Sequence, residues 1–544
     1  MTSSDTSYSA HIPRPWLWGM VVVVLAVASY ANTLQNGFVW DDEPIIAKNP
    51  LNRDPAAIVH IVQDLDTSRG VEKNPYYRPL ARLTYWVEYQ AHGLNPALCH
   101  LANVALHAAN ALLVYRLGLL LFAVEFPALV AALLFAVHPV NSEAVNFLAT
   151  RNTLLSTLFV LAAFIVFARG LERGGRSAAI RTGCLFLAGI FCKESTLFLL
   201  PLLPVAALAL SNEPPREAFR KSLPALAACA VAAGIYLCLR QQVLSEAGVT
   251  VSILPGLAGR LLDILYLIPR SLVPIVWPAR LSPYYPLPEA IGPLIPLLAV
   301  AWAGILALIL WVFTKGRSSA SVVGLCRYVA FYLPVSGIIP IPSAPMAERY
   351  LYLPAIGAWL IAAEALRRCS LRCPMRKNLV VAAVILAAAT LATRTVIRNL
   401  DWRSNYTLFS RLVETSPKSA FAHNNLGTAY LDDLKDLAKA QAEFEKTLAL
   451  DPRFPRTHTQ LGYIDMQRRD LVSADAHFSQ AAALDPNDAE AHYNKAVVAE
   501  QLGRPEEAVR HLESFLAINN PEFAEARAEA ENRLRALKTQ LGRQ

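Results

Sequence analysis

Asp41 and Asp42, adjacent carboxylates in FVWDDEP at 38–44, are the first side chains whose type and place could do chemistry. They follow an apolar run, between Trp40 and Pro44. A carboxylate there can take the proton of a hydroxyl acceptor or share a divalent cation with a second acid. The plainer reading is solvated charge or a helix cap. Tyr77 and Arg78, in NPYYRPL at 74–80, precede Arg82 on one helical face. Arginines near headgroups snorkel, yet a guanidinium can also grip a lipid phosphate through two hydrogen bonds. His100 and His107 are seven residues apart and form a polar seam with Asn103 and Asn110. Inside a membrane such a seam faces the bundle interior, and interhelical hydrogen bonding explains it most simply. HPVNSEAVNFLATRN at 138–152 brings His138, Glu143 and Arg151. Lys193 and Glu194 separate two apolar runs, and Glu348 and Arg349 lie in MAERYLYLP at 346–354.

These groups need a scaffold, and composition says which kind. The 544 residues are 54% hydrophobic and 17% charged. About 20 apolar residues cross a bilayer. Eleven segments qualify: 17–34, 98–122, 126–140, 152–168, 179–192, 195–210, 222–240, 292–313, 322–341, 351–366 and 378–396. A twelfth, 258–278, is broken by Pro269, Pro274 and Pro278. The N-terminal run reads as an uncleaved first span, with Trp16 and Trp18 as interfacial anchors. The net charge of +8 resides largely in short loops at 169–181, 216–221, 315–317 and 367–377. That is an orientation signal rather than a nucleic-acid surface. All four loops face the cytoplasm if the N-terminus does too and 258–278 does not cross. Then the loop 35–97, with an amphipathic helix over 78–92, lies outside, as does everything after 398. The eight cysteines form no disulfide framework, and Cys369 and Cys373 are half a metal site without a second half. This topology brings every polar cluster named above to one membrane face, as an outward-facing charged cavity.

From 420 the pattern changes. FAHNNLGTAY, THTQLGYIDM and AHYNKAVVAE align, and Asp451-Pro452 and Asp485-Pro486 are 34 residues apart. This is the helix–turn–helix period of tetratricopeptide repeats. Repeats are expected at about 420–453, 454–487 and 488–521, with one extra residue near 432–436 and a charged capping helix over 521–541. The fold class is therefore all-α: a polytopic bundle of about eleven spans over 1–398, then a C-terminal repeat solenoid over 399–544.

The motif order resembles the transmembrane and tetratricopeptide-repeat family of protein O-mannosyltransferases, within the GT-C class of membrane glycosyltransferases. FVWDDEP, YRPL with LTY at 83–85, HLANVALH at 100–107, HPVNSEAV, Lys193-Glu194, ERYLYLP and Asp401-Trp402 carry the likeness. It implies inverting transfer of a sugar from a polyprenyl-phosphate donor to an acceptor outside the cytoplasm, Ser/Thr of proteins above all. Asp41 or Asp42 would be the base. Arg78, Arg151, Lys193 and Arg349 would meet the donor phosphate. Tyr77, His100, His107, His138, Glu143, Glu194 and Glu348 would line the cavity. A divalent cation is an open option with no ligand set assigned. The expected partners are the lipid-linked sugar, an acceptor protein or glycan, the bilayer and a protein bound by the repeats, with no nucleic acid. The compact loops and Ala-rich helices suggest a bacterial inner membrane and an undecaprenyl-phosphate sugar. A polysaccharide or lipid glycosyltransferase, or a non-catalytic repeat scaffold, are the alternatives.

Overall fold

A computed structural model describes residues 15–63, 76–173, 175–246, 260–288, 290–338, 344–372, 377–518 and 523–542. Residues 1–14, Asn74-Pro75, Cys373 with Arg376, Asn519-Asn520 and the first two residues of 258–278 lie outside these. Among the described residues all regular structure is helical, apart from one bridge pair, Tyr285 with Met346.

Each of the eleven apolar segments is helical over most of its described residues, with 339–341 of the segment 322–341 outside them. The helices are α1 (Pro15–Tyr30), α2 (Pro79–His92), α3 (Pro96–Phe122), α4 (Glu125–Val137), α5 (Arg151–Arg173), α6 (Arg176–Cys192), α7 (Leu199–Leu210) and α8 (Pro215–Glu246). They continue with α9 (Leu261–Val276), α10 (Ile295–Phe313), α11 (Ser319–Tyr332), α12 (Ala355–Arg372) and α13 (Lys377–Asn399). Six stretches are long and apolar enough to cross a membrane alone, or seven if α4 and the bent segment Pro139–Asn146 count as one. The chain is thus a multi-pass membrane protein. α3 shows how sequence sets an element. The Asn95 side chain accepts the Ala97 N–H, Pro96 opens the first turn, and Ala123 closes the helix at φ +54°. Its 27 residues reach about 40 Å. α9, the segment broken by prolines, stays helical through Pro269 and Pro274. Helices α11 and α12 cross at Gly324 and Gly357, where a Cβ on Gly357 would lie 2.1 Å from the Gly324 carbonyl oxygen. Only glycine permits that approach, as in many membrane helix pairs.

The long loop after α1 folds into short helices at Pro50–Arg53, Pro55–Ala57 and Ile58–Gln63 and then α2. An asparagine chain ties three remote segments together. Asn36 Nδ2 donates to Asn146 Oδ1 (3.0 Å), and Asn146 Nδ2 donates to Asn399 Oδ1 (2.8 Å). Buried amides satisfy one another here.

Helix α14 (Asn405–Thr415), capped by a reciprocal Ser404–Thr407 pair, leads into the solenoid. The helix pairs are α15 (Ala420–Asp432) with α16 (Leu437–Leu450), α17 (Pro455–Gln467) with α18 (Leu471–Leu484), and α19 (Ala489–Gln501) with α20 (Pro505–Ala517). α21 (Ala524–Gln540) closes the array. Lys435, Arg469 and Gly503 hold the three intra-repeat turns at positive φ (54°, 63° and 72°). Gly427 and Gly462 each face a phenylalanine, Phe444 and Phe478, with no room for a Cβ. The third repeat has Ala496 and Leu512 at these places, both in the buried core. A smaller partner there accepts the larger residue.

Candidate active site

The acidic loop leaves α1 and is held at both ends of its Asp pair. Asp42 is fully buried. Its Oδ1 accepts the Ala149 N–H at 2.7 Å and its Oδ2 accepts the Val39 N–H at 3.2 Å. Burial pushes its carboxyl well above the usual range, and the N–H donors oppose this only in part. Asp41 is half-buried, and its charge reaches the Arg349 guanidinium. Between Val39 and Asp41, Trp40 adopts φ +53°. Its ring stacks on Phe147 at 5.2 Å and lies 5.7 Å from the Arg349 guanidinium.

Arg349 sits on the short turn Glu348–Tyr350. Its guanidinium pairs with the buried Glu143, whose Oε2 also accepts the Arg349 backbone N–H at 2.8 Å. Arg78, just before α2, donates through Nε and Nη2 to Glu194 Oε2 at 3.0 and 2.9 Å and covers the Tyr76 ring at 4.0 Å. Lys193 occupies an extended break after α6 and donates to Thr153 Oγ1 at 2.8 Å. Burial, then the positive charges of Arg78 and Arg349, lower its pKa to about 7. Lys193 is therefore within electrostatic reach of both Arg78 and Arg349.

The other expected residues are placed differently. Arg151 is buried and its guanidinium is spent inside the α2–α3–α5 packing. It pairs with Glu88 (2.7 Å), donates to Asn103 Oδ1 (2.8 Å) and the Cys99 carbonyl (3.1 Å), and covers Tyr85. His107 bridges the Tyr352 hydroxyl (2.8 Å) and the Ala136 carbonyl (3.0 Å). His138 Nδ1 accepts the Val140 N–H at 3.2 Å, a cap on the turn after α4. His100 lies 3.4 Å from the Gly37 carbonyl. Tyr77 donates to the Val62 carbonyl at 2.7 Å. Glu348 accepts the Tyr285 hydroxyl (2.8 Å) and the Ser282 N–H, and lies 3.5 Å from Arg398. These groups are held by partners inside the protein.

Among the described residues, no group of three His, Cys, Asp or Glu ligand atoms gathers beside the Asp pair. Asp42 is held by two N–H groups and Glu43 pairs with Lys48 at 2.6 Å. Elsewhere Glu88, His92 and Cys99 bring their ligand atoms within 4.8 Å of one another. Arg151 already neutralises that carboxylate. Two residues that the sequence did not single out matter for the site. Asn405 accepts the Trp40 N–H at 2.7 Å, and Arg398 bridges Glu348 and Asp401. An asparagine at a helix start and an arginine at the end of an apolar run carry no distinguishing pattern.

Residues 422–454 and 477–510 match the tetratricopeptide repeat family. Protein O-mannosyl-transferase TMTC3 of Mus musculus is 26% identical over 486 residues, covering 81% of this chain and 52% of that protein. Protein O-mannosyl-transferase F38B6.6 of Caenorhabditis elegans is 25% identical over 449 residues, covering 80% and 63%. The chain thus spans little more than half the length of these curated relatives. The solved archaeal oligosaccharyltransferase AglB of Archaeoglobus fulgidus is 14% identical, with a TM-score of 0.44 over 74% of this chain and 58% of that one. The chain is a repeat-bearing relative, about a quarter identical over four-fifths of its length, of the protein O-mannosyl-transferases.

Proposed function

We propose that this protein is an inverting membrane glycosyltransferase. It passes a sugar, mannose by analogy with its relatives, from a polyprenyl-phosphate donor to a serine or threonine hydroxyl. One observation carries the reading: the half-buried Asp41 directly follows Trp40, whose ring lies 5.7 Å from the Arg349 guanidinium, and Arg78 is bonded to Glu194, the residue next to Lys193. Asp41 takes the acceptor proton as its oxygen attacks the anomeric carbon. The bond from that carbon to the phosphate oxygen breaks on the opposite face, inverting the centre. The leaving phosphate gathers charge, and preorganised cations lower the barrier to its departure. Arg349 and Lys193 serve that role, Arg78 holds the headgroup, and the polyprenyl tail stays in the bilayer. The repeats hold the acceptor chain. The membrane is a bacterial inner membrane, with the repeats on its outer side.

The test is direct. Purified protein is incubated with polyprenyl-phosphate mannose and a Ser/Thr peptide, and the peptide is weighed by mass spectrometry. Mannosylation that disappears in Asp41→Asn is expected. Wild-type transfer by Asp41→Asn would remove the assigned base. Transfer to envelope glycan but never to peptide would favour a polysaccharide glycosyltransferase instead.

A further inference from the structure

We infer that the repeat domain completes the catalytic loop, with Trp40 and Asn405 as positioning residues for Asp41; this rests on the role proposed above for Asp41. The backbone supplies the first reason. Trp40 stands at φ +53°, a left-handed conformation that a bulky residue keeps only when its surroundings impose it. The surroundings come from both halves of the molecule. Phe147 of the membrane half lies parallel to the indole, 5.2 Å away and 6° off plane. From the repeat half, Phe421 and Phe409 approach the same ring at 5.7 and 6.1 Å. Phe421 in turn stacks on Tyr284 of the membrane half at 4.9 Å.

The second reason is polar. The Trp40 N–H is donated to Asn405 Oδ1 at 2.7 Å, on the first residue of α14. The same amide reaches back to Glu43 Oε1 at 3.5 Å. One turn earlier the Gly37 N–H is donated to the Arg403 carbonyl at 3.1 Å. Two positions after Trp40, Asp42 is pinned to Ala149. Asp41 is therefore the one residue between two fixed points, and one of those points belongs to the repeat domain. The indole that is held this way also lies against the Arg349 guanidinium. A module that merely recruited acceptor would need no such grip on the acid and its neighbouring cation.

The experiment separates positioning from recruitment. Asn405→Ala removes the acceptor of the Trp40 N–H but leaves the Ser404–Thr407 cap of α14 in place. Trp40→Gly keeps the left-handed backbone and loses the ring, while Trp40→Phe keeps an aromatic face. With polyprenyl-phosphate mannose and a Ser/Thr peptide, Asn405→Ala and Trp40→Gly should lower kcat on the order of tenfold to a hundredfold. The peptide KM should stay put, and Trp40→Phe should recover much of the loss seen with Trp40→Gly. Hydrogen exchange of the full-length protein should quicken at residues 40–45 in Asn405→Ala. A raised peptide KM with kcat unchanged would overturn the inference, since recruitment would then be the whole role. If wild-type protein transfers no sugar, the functional reading fails by itself, and exchange still decides the clamp. Faster exchange upholds the clamp, and unchanged exchange at 40–45 overturns it.

Discussion

Asp42 and Ala149 are joined across one end of the bundle: the carboxylate Oδ1 takes the Ala149 N–H at 2.7 Å. This contact gives two neighbouring acids different tasks. Asp42 is buried and fastens the loop to the start of α5, while Asp41 remains half-buried beside Arg349.

The two asparagine variants should therefore differ in kind. Asp41→Asn should reduce transfer by about 10²–10⁴-fold, the usual worth of a general base, with a smaller fall in melting temperature than Asp42→Asn. Asp42→Asn turns an amide NH2 towards one of two backbone N–H groups. Leaving that buried donor unpaired costs about 1–3 kcal/mol, so the melting temperature should fall along with activity. Equal thermal stability of the two variants would contradict the division.

Lys193 gives a pH signature. Its pKa is lowered to about 7, by burial first and then by Arg78 and Arg349. The group is a cation below that value and neutral above it. A phosphate-binding cation is lost as pH rises, so kcat/KM for the donor should fall through about pH 7. Lys193→Arg keeps its charge to far higher pH, and its alkaline limb should move up by more than one unit. Identical profiles for the two proteins would dismiss Lys193 from donor binding.

The helices were legible in the sequence because apolar runs and a 34-residue period are local signals. Each of the eleven apolar segments is helical over most of its described residues, and the extra residue near 432–436 lies just ahead of the turn at Lys435. The fate of each arginine was not legible, because it depends on a partner far along the chain. Arg151 meets Glu88 and is consumed in packing, whereas Arg349 meets Glu143 and stays beside the acidic loop. Nothing in the pair Asp41-Asp42 says which faces inward. That depends on where the chain brings the Ala149 N–H. The clamp from Asn405 was invisible for the same reason, since the two ends of the bond are 365 residues apart.

The Arg349–Glu143 pair makes a stability prediction as well as a functional one. Glu143 is fully buried and Arg349 nearly so. Arg349→Met strands a buried carboxylate, which typically costs about 3–5 kcal/mol. Adding Glu143→Gln should recover a good part of that stability, because the amide oxygen can still accept the backbone N–H at position 349. Donor binding should not recover, since the cation is gone. A double variant no more stable than Arg349→Met would show that the pair is not what holds this turn.

The repeats offer a test with no chemistry in it. A Cβ on Gly427 would lie 2.6 Å from the Phe444 ring, so Gly427→Ala must push that ring aside. Overpacking of this kind costs about 1–3 kcal/mol. Phe444→Leu in the same chain should relieve it, because the third repeat pairs Ala496 with Leu512 at the equivalent places. Melting of the full-length protein in detergent, followed by circular dichroism, should show the single variant lowered and the double variant partly restored.

Orientation provides the last prediction. Basic loops at 169–181, 216–221, 315–317 and 367–377 are short enough for the positive-inside bias to act. α13 leaves the basic loop before it and delivers Trp402 directly to the repeat domain, where it packs with Leu408 and Phe409. The acidic loop is bonded to the same place, through Gly37 to Arg403 and Trp40 to Asn405. Loop and repeats must therefore share one side of the membrane, whichever side that is. A periplasmic-active reporter fused after residue 544 should be active, as should one inserted near residue 54. A cytoplasmic-active reporter at residue 317 should be active too. Reporters at 54 and 544 on opposite sides would be incompatible with the packing of Trp40. Both on the cytoplasmic side would keep the packing and reverse the face on which the sugar is transferred.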